Sequence, residues 1–238
     1  MNLCVLTTET PHHAYFVKSL REKFPGTRVF CETGISRQPA SRLCVFEKQR
    51  EEWEWAKWFK GEKTPISVLA PTENFPTLNS SEAIGCLRAA RPDIILVFGT
   101  GILQEPILQI RPRGTFNLHG GNPEEYRGLD THLWAIFERK FNDLITTLHH
   151  VDTGIDTGDI VERVRLPLKK NMELFELRAV NTEVCLEMTL RALRKLMTDD
   201  TLPAFPQTKR GRYFSAMPPE TKNQCPIIFR QYTGSLLK

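Results

Sequence analysis

Long apolar segments are missing from this sequence. The longest strongly apolar run covers only residues 94–98, whereas a helix that spans a membrane needs about 20 such residues. The first six residues contain no basic side chain, and Thr7, Thr8 and Glu9 then end the apolar run too early for a secretory signal peptide. We therefore expect a cytoplasmic protein that has no membrane among its partners.

Closely spaced cysteine ligands are also missing. The six cysteines, at positions 4, 31, 44, 86, 185 and 225, form no CxxC pair and no zinc-finger spacing, so we expect reduced thiols and no metal. The surplus of positive charge is small, because the chain has 32 Lys and Arg residues and 28 Asp and Glu residues, which gives a net charge of +4. This weak, diffuse surplus argues against a protein that binds nucleic acid.

The sequence does contain a regular alternation of strand-like and helix-like segments. Its composition, 40% hydrophobic and 25% charged, is that of an ordinary globular chain. Strands are predicted over residues 3–7, 28–31, 66–70, 94–98, 115–119, 145–151 and 160–164, and helices over 12–24, 45–59, 80–90 and 172–197. Because the two types alternate, we predict an α/β fold with an open, mostly parallel twisted sheet flanked by helices.

The chain changes character after residue 199. Prolines at 203, 206, 218 and 219 interrupt it, and only short strands are predicted there, near 212–214 and 227–229. A segment of this length cannot bury a core of its own. We therefore predict one main domain over residues 1–199, with residues 200–238 as an appendage of loops and short strands.

Three loops follow predicted strands of the sheet and lie where a ligand site is expected. In open α/β sheets, ligands bind beyond the carboxyl ends of the strands. The loops at these ends cover residues 99–103, 119–128 and 152–159. Catalytic and ligand-binding side chains are therefore expected in and beside these three loops.

Asn117, His119 and Asp156 form the most informative pattern. Asn117 and His119 are two residues apart on a predicted strand, so their side chains leave the same face. An amide and an imidazole directed at one point can stabilise a developing oxyanion and exchange a proton. Asp156, in a turn between two glycines, would keep the imidazole protonated. For each residue alone there is a simpler interpretation, in which Asn117 caps a loop and His119 is an ordinary core histidine. The combination of the residues argues against this interpretation.

The same residues carry a family resemblance. Asn117-Leu118-His119, Tyr126-Arg127-Gly128 and Ile155-Asp156-Thr157-Gly158 resemble, in order and position, the signature of the formyltransferases that use 10-formyltetrahydrofolate. The resemblance is clear over residues 80–197 and implies a Rossmann-like formyltransferase fold in the main domain. It also implies an N-formyltransferase in which Asn117 and His119 stabilise a tetrahedral intermediate while Asp156 supports the histidine.

The resemblance further implies where the substrates bind. The folate co-substrate is expected between two loops, against Phe98, Gly99, Thr100, Gly101, Ile102, Leu103, Asp152, Gly154 and Ile155. Acceptor contacts are expected from Thr8, Glu9, His12, Gly120, Gly121, Asn122, Tyr126 and Arg127. No metal is required by this chemistry.

The segments expected to contact the acceptor differ from those of known family members. After His119 the family usually continues Pro-Ser-Leu-Leu-Pro, whereas this chain has glycines at 120 and 121, which permit other backbone conformations. Residues 7–13 lack the glycine-rich phosphate loop of the glycinamide ribonucleotide enzyme, and the tail has no dense basic stripe for tRNA. An amino sugar linked to a nucleoside diphosphate is therefore the leading acceptor.

Several alternatives stay open. The formyl group could pass to another amine, such as glycinamide ribonucleotide, or the chain could be a non-catalytic regulator that binds folate or nucleotide. The expected partners are small molecules, namely the folate donor and the amino-sugar nucleotide, without nucleic acid. A homodimer is left open.

Overall fold

The fold is built on a seven-stranded sheet, seen in a computed structural model that describes residues 1–34, 43–199 and 201–237. The strands are β1 (Leu3–Thr7), β2 (Arg28–Glu32), β3 (Thr72–Phe75), β4 (Ile94–Phe98), β5 (Thr115–His119), β6 (Tyr126–Gly128), β7 (Ile145–His150), β8 (Ile160–Arg165) and β9 (Arg212–Phe214). The sheet order is β3-β2-β1-β4-β5-β7-β8, while β6 and β9 pair separately. The five strands from β3 to β5 are parallel to one another, and β7 runs antiparallel to both of its neighbours, β5 and β8. The predicted mostly parallel α/β sheet is confirmed.

Helices cover both faces of this sheet. They are α1 (Pro11–Lys23), α2 (Val45–Phe59), α3 (Ile66–Leu69), α4 (Ser81–Ala89), α5 (Glu105–Leu108), α6 (Thr131–Phe137), α7 (Leu177–Asp199), α8 (Pro219–Lys222) and α9 (Cys225–Gly234). A polar cap sets the start of α4, where the Ser80 Oγ accepts from the Ala83 N–H at 3.1 Å. Among the described residues, no helix combines the length and apolar character that crossing a membrane would take.

The strand β4 shows how the core is divided between the two faces. Ile94, Leu96 and Phe98 face one buried cluster, and Ile95 and Val97 face the other. All five side chains are buried, as the continuous apolar run predicts for a central parallel strand. The chain moves outward from β1 to β2 and β3 and then returns to β4, so the strand order reverses between β1 and β4.

The crevice at this reversal is filled by side chains. Thr8 Oγ1 donates to the Gly99 carbonyl at 3.2 Å, and Thr7 Oγ1 donates to the Phe98 carbonyl at 2.8 Å. The His13 ring packs against Gly99, where a Cβ atom would lie 2.5 Å from it. The usual ligand position of an open α/β sheet is thus occupied by protein here, and the open cavity lies beside it, over β4 and β5.

The strand predicted over residues 66–70 is wrong. The chain forms the short helix α3 there, and the strand β3 follows at Thr72–Phe75. Ile66 is buried but Val68 is 73% exposed. This difference between residues two apart fits a helical turn, because in a strand both side chains would lie on the same face. The Glu9 carboxylate accepts the Ile66 N–H at 3.0 Å and holds the start of the turn. A short apolar run does not distinguish a strand from a helical turn without this long-range contact.

The tail contains helices as well as the predicted short strand. The strand near 212–214 is confirmed as β9, but the strand near 227–229 is wrong, because residues Cys225–Gly234 form α9. Ile228 and Phe229 are buried while Ile227 is exposed, and Pro226 is placed in the first turn. The description of the tail as loops and short strands is corrected accordingly.

The same tail packs into the core of the main sheet. Met217, Cys225 and Phe229 belong to the larger buried cluster, beside residues of the central strands. The division into 1–199 and 200–238 stays a prediction, and its boundary at residue 200 lies outside the described residues.

Buried ion pairs connect the helices on one side of the sheet. Glu54 of α2 is fully buried and accepts two hydrogen bonds from Arg178 of α7, at 2.7 and 2.5 Å. Lys222 of α8 lies 3.1 Å from a Glu47 oxygen and 3.0 Å from an Asp130 oxygen. These pairs fix α2, α7 and the tail relative to one another.

We expect Glu54→Gln to lower the free energy of unfolding by about 3 kcal/mol, because the guanidinium of Arg178 loses its charged partner in a buried site. Urea denaturation measures this change. The control Glu51→Gln, on an exposed position of the same helix, should change it by less than about 0.5 kcal/mol. Equal effects of the two substitutions would contradict a structural role of the pair.

Candidate active site

Asn117 and His119 leave the same face of β5, beside the antiparallel strand β7. The pairing places His149 opposite Asn117 and Thr147 opposite His119. Asp156 belongs to the turn that follows β7, and its Oδ1 lies 3.2 Å from Asn117 Nδ2 and 3.5 Å from His119 Nδ1. The structure therefore brings the three predicted catalytic side chains together around one carboxylate oxygen.

The orientation of the Asn117 amide follows from its neighbours. His149 Nδ1 donates to the carbonyl of His150 at 2.7 Å, so in the neutral ring Nε2 is an acceptor. Asn117 Nδ2 lies 3.1 Å from this Nε2 and 3.2 Å from Asp156 Oδ1, which gives both amide hydrogens an acceptor. His149, which the sequence analysis did not assign to the site, thus fixes which end of the Asn117 amide faces Asp156.

The ring of His119 is buried at the floor of the site. Its Nε2 donates to the Tyr126 carbonyl at 3.0 Å, so in the neutral ring Nδ1 carries the lone pair. Burial lowers the pKa of His119 below its ordinary value, although the Asp156 carboxylate acts in the opposite direction. The expectation that Asp156 keeps this histidine protonated stays a prediction, and burial of the ring acts against it.

Asp156 is held ionised in an unusual backbone conformation. Its φ of +51° lies in the left-handed region, which side chains other than glycine rarely adopt. Burial alone would raise the pKa of Asp156, but the His119 and His149 rings and the Gly128 N–H, which donates to Oδ2 at 2.8 Å, hold this pKa far below its ordinary range. The site therefore contains a fixed negative charge.

The turn that carries Asp156 is tied to two other segments. Arg127 Nη1 donates to the Ile155 carbonyl at 2.9 Å, and its Nε donates to the Gly211 carbonyl at 2.8 Å. Gln207 Nε2 donates to the carbonyls of Asp156 and Gly158 at 2.9 and 3.0 Å. Gln207 was missed by the sequence analysis, since no local pattern connects the tail to this turn.

A cavity of about 410 Å³ opens above these residues, within the size range of small-molecule sites. Its lining comprises Val97, Gly99, Thr100, Gly101, Ile102, Leu103, Asn117, Leu118, His119, Gly120, Gly128, Leu129, His149, Val151, Asp152, Gly154, Ile155, Asp156 and Tyr213. The lining thus includes every residue predicted to bind the folate except Phe98. The Phe98 ring instead packs against His12, His13 and Phe16. The folate contacts themselves stay a prediction.

A larger groove of about 690 Å³ lies at the opposite ends of the strands. It is lined by residues such as Asp93, Arg111 and Arg113 and contains none of the three predicted catalytic side chains. The smaller cavity is therefore the candidate active site. Within the described ranges, no three histidine, cysteine or carboxylate side chains gather in a way that could hold a metal ion.

The predicted acceptor residues near the amino terminus are engaged within the protein. Thr8 Oγ1 lies 3.1 Å from His13 Nδ1, and the Glu9 carboxylate holds the start of α3. His12 is buried, with its Nδ1 2.9 Å from Thr10 Oγ1. None of Thr8, Glu9 and His12 lines the cavity, and their contact with an acceptor stays a prediction.

Of the other predicted acceptor residues, only Gly120 lines the cavity. The Gly121 carbonyl accepts from Thr147 Oγ1 at 2.7 Å, and Asn122 Nδ2 donates to Asp143 at 3.0 Å. The Tyr126 hydroxyl donates to Glu138 at 2.8 Å, and Arg127 supports the turn as described above. The internal bonds of Tyr126 and Arg127 give them a structural role that the sequence analysis did not predict.

Burial of histidine beside the site predicts how stability depends on pH. His132 donates from Nε2 to the Ile145 carbonyl at 2.8 Å, and burial lowers its pKa to about 4, against about 6.5 in the unfolded chain. Between these values only the unfolded chain binds the proton, so stability falls as the pH falls from about 6.5 to 4, by at most about 3 kcal/mol. Urea unfolding at several pH values measures the slope. His132→Gln, which keeps a donor, should make it shallower, and an unchanged slope would contradict this assignment.

Comparison with known proteins places the chain in a family. The formyl transferase family model matches residues 27–188, which is more than half of the chain. The chain therefore belongs to the formyl transferase family. A methionyl-tRNA formyltransferase of Acetivibrio thermocellus is 28% identical over 197 residues, which cover 74% of this chain and 61% of the relative. The chain thus spans less than two thirds of the length of this curated relative.

Solved structures share the fold at low sequence identity. A sugar N-formyltransferase from a Shewanella species has a TM-score of 0.60 and 14% identity, with 90% of this chain and 77% of that chain covered. An N-formyltransferase of Helicobacter canadensis, solved with folinic acid and dTDP-3-aminofucose, has a TM-score of 0.57 and 16% identity, with 98% and 82% covered.

Proposed function

We propose that the protein transfers a formyl group from 10-formyltetrahydrofolate to a primary amine. The observation that carries this proposal is the meeting of Asn117, His119 and Asp156 on the wall of one open cavity. An amide donor, a neutral imidazole and an ionised carboxylate are the groups that acyl transfer to an amine requires. Membership in the formyl transferase family supports the choice of the formyl group.

The reaction begins with attack of the neutral amine on the formyl carbon. His119 Nδ1, with its lone pair and lowered pKa, accepts the proton that the amine loses. The nearby Asp156 carboxylate stabilises the imidazolium that this transfer creates, 3.5 Å away. When the bond between the formyl carbon and N10 of the folate breaks, His119 gives the same proton to N10. Tetrahydrofolate therefore leaves with a neutral N10.

Asn117 stabilises the oxygen that becomes negative in the tetrahedral intermediate. Its amide hydrogens already have acceptors, Asp156 and His149, in the free protein. The formyl oxygen must therefore replace one of these acceptors as its charge develops. Because the charge of the oxyanion exists only near the transition state, this exchange favours the transition state over the bound substrate.

The folate is proposed to bind along the loops at 99–103 and 152–155. Eight residues of these loops line the cavity, and three of the eight are glycines, Gly99, Gly101 and Gly154. Exposed N–H and C=O groups can recognise the amide-like edge of a pterin ring by paired hydrogen bonds. The folinic acid in the Helicobacter canadensis enzyme supports a folate in this fold. No metal takes part in the scheme.

An amino-sugar nucleotide is the proposed acceptor, and methionyl-tRNA is the second candidate. The Shewanella sugar N-formyltransferase and the Helicobacter canadensis N-formyltransferase solved with dTDP-3-aminofucose support the first. The loop at 120–122, which departs from the common family pattern, also supports it. The methionyl-tRNA formyltransferase from Acetivibrio thermocellus favours the second. A cytoplasmic location and small-molecule partners are part of the first proposal.

A turnover assay distinguishes these acceptors. The protein is incubated with 10-formyltetrahydrofolate and, separately, dTDP-3-aminofucose, other amino-sugar nucleotides, methionyl-tRNA and glycinamide ribonucleotide, and the products are weighed by mass spectrometry. We expect one added formyl group on an amino-sugar nucleotide. Formylation of methionyl-tRNA alone would replace the proposed acceptor by the second candidate. Folate binding without transfer to any amine would favour a regulator.

The role of His119 has its own test. We expect His119→Asn to lower kcat by at least about 1000-fold, because the substituted side chain cannot carry the proton from the amine to N10. Tetrahydrofolate binding, measured by calorimetry, should stay within a few-fold of wild type. Loss of both would indicate a collapsed site, and retained turnover would contradict the role of His119.

A further inference from the structure

Three exposed apolar side chains lie at the opening of the candidate active site. Ile102 is 67% exposed, Leu129 57% and Tyr213 54%, and all three line the same cavity as Asn117 and His119. They come from three separate segments, namely the loop after β4, the turn after β6, and β9. We call these three residues the apolar mouth. Exposed apolar surface beside a polar floor is typical of ligand-binding clefts.

One wall of the apolar mouth is fixed by strand pairing. β9 runs parallel to β6 with Tyr213 opposite Arg127, and the Leu129 N–H donates to the Phe214 carbonyl at 2.9 Å. The Tyr213 ring lies against Gly128, where a Cβ would stand 2.8 Å from a ring carbon. Gly128 also has a φ of +95°. Glycine is therefore required here both for the space that the Tyr213 ring takes and for the backbone conformation.

The opposite wall is fixed by hydrogen bonds to side chains. Asn79 Nδ2 donates to the Ile102 carbonyl at 2.9 Å, and Asn79 Oδ1 accepts the Gln104 N–H at 2.8 Å. Buried Glu32 accepts the Gly101 N–H at 2.8 Å. Both walls therefore hold their positions without a ligand, which reduces the ordering that binding would require.

The charge of the cavity limits which part of a ligand the apolar mouth can hold. Of the described residues that line it, two are carboxylates, Asp152 and Asp156, and none is a lysine or arginine. Phosphate groups or a glutamate carboxylate would meet negative charge and no fixed positive charge there. An uncharged planar ring, in contrast, would bury the exposed faces of all three apolar side chains.

We propose that the apolar mouth binds an uncharged planar ring of one of the two substrates, with Tyr213 as the stacking residue that contributes to specificity. The proposal rests on the proposed formyl transfer. Tyr213 lies beyond residue 188, where the match to the family model ends, and it reaches the site only through β9. The ring is either the benzoyl ring of the folate donor or the base of a nucleotide acceptor, and the two sources can be separated by experiment.

The test measures binding of two probes to the full chain by calorimetry. Tetrahydrofolate represents the donor, and dTDP represents a nucleotide acceptor. We expect Tyr213→Ala to weaken the binding of one probe by about 5- to 50-fold, because the stacking surface is lost. Tyr213→Phe, which keeps the ring, should stay within about 2-fold of wild type.

Two further variants keep the proposal testable if Tyr213→Ala disturbs β9. Ile102→Ala removes the opposite wall, which is not part of the strand pair, and should weaken the same probe. Ile227→Ala is the matched control, since Ile227 is 65% exposed on α9 and does not line the cavity. It should leave both dissociation constants and kcat unchanged.

The outcomes separate the two proposals. Weaker tetrahydrofolate binding identifies the benzoyl ring, provided that 6-methyltetrahydropterin, which lacks that ring, binds Tyr213→Ala as well as wild type. Weaker dTDP binding with unchanged folate binding identifies the base. If wild type binds tetrahydrofolate and transfers formyl groups but neither alanine variant weakens either probe, the apolar-mouth proposal is overturned and the proposed function stands. A wild-type protein that neither binds folate nor transfers a formyl group overturns both.

Discussion

The Asp156 carboxylate is the group on which the arrangement of the site depends. Its two oxygens accept hydrogen bonds from the Gly128 N–H and the Asn117 amide, and the rings of His119 and His149 lie 3.5 and 3.6 Å from Oδ1. A buried negative charge is tolerated only where hydrogen-bond donors such as this N–H and this amide lie beside it. The charge therefore fixes the amide of Asn117 and provides the partner that stabilises a proton on His119.

This carboxylate in turn depends on parts of the molecule that are distant in sequence. Arg127 and Gln207 hold the carbonyls of its turn from two different segments. The segment with Gln207 is itself tied to the body of the protein, because buried Glu124 accepts from the N–H and hydroxyl of Thr208 at 2.6 and 2.7 Å. The site is thus assembled by long-range hydrogen bonds between segments that are distant in sequence.

Much of this could be predicted from sequence because the signals are local. The alternation along β5 gave Asn117 and His119 one face, and the apolar run of β4 marked the central strand. The burial that lowers the pKa of His119 could not be predicted, since it depends on what packs around the ring. Likewise, Tyr213 is placed by the β6–β9 pairing, which joins residues more than 80 positions apart, and Gln207 contacts a turn about 50 positions away. No local pattern specifies such a pairing.

The late position of β9 in the chain has a consequence for biosynthesis. The central strands and α7 precede it, so the main sheet can form while the tail is still being made. The bond between Arg127 and the Gly211 carbonyl closes a loop of 84 residues, and this closure costs conformational entropy when the tail docks. Gln207 can donate to the carbonyls of the Asp156 turn only after this segment docks, so the main sheet can form before the site is complete.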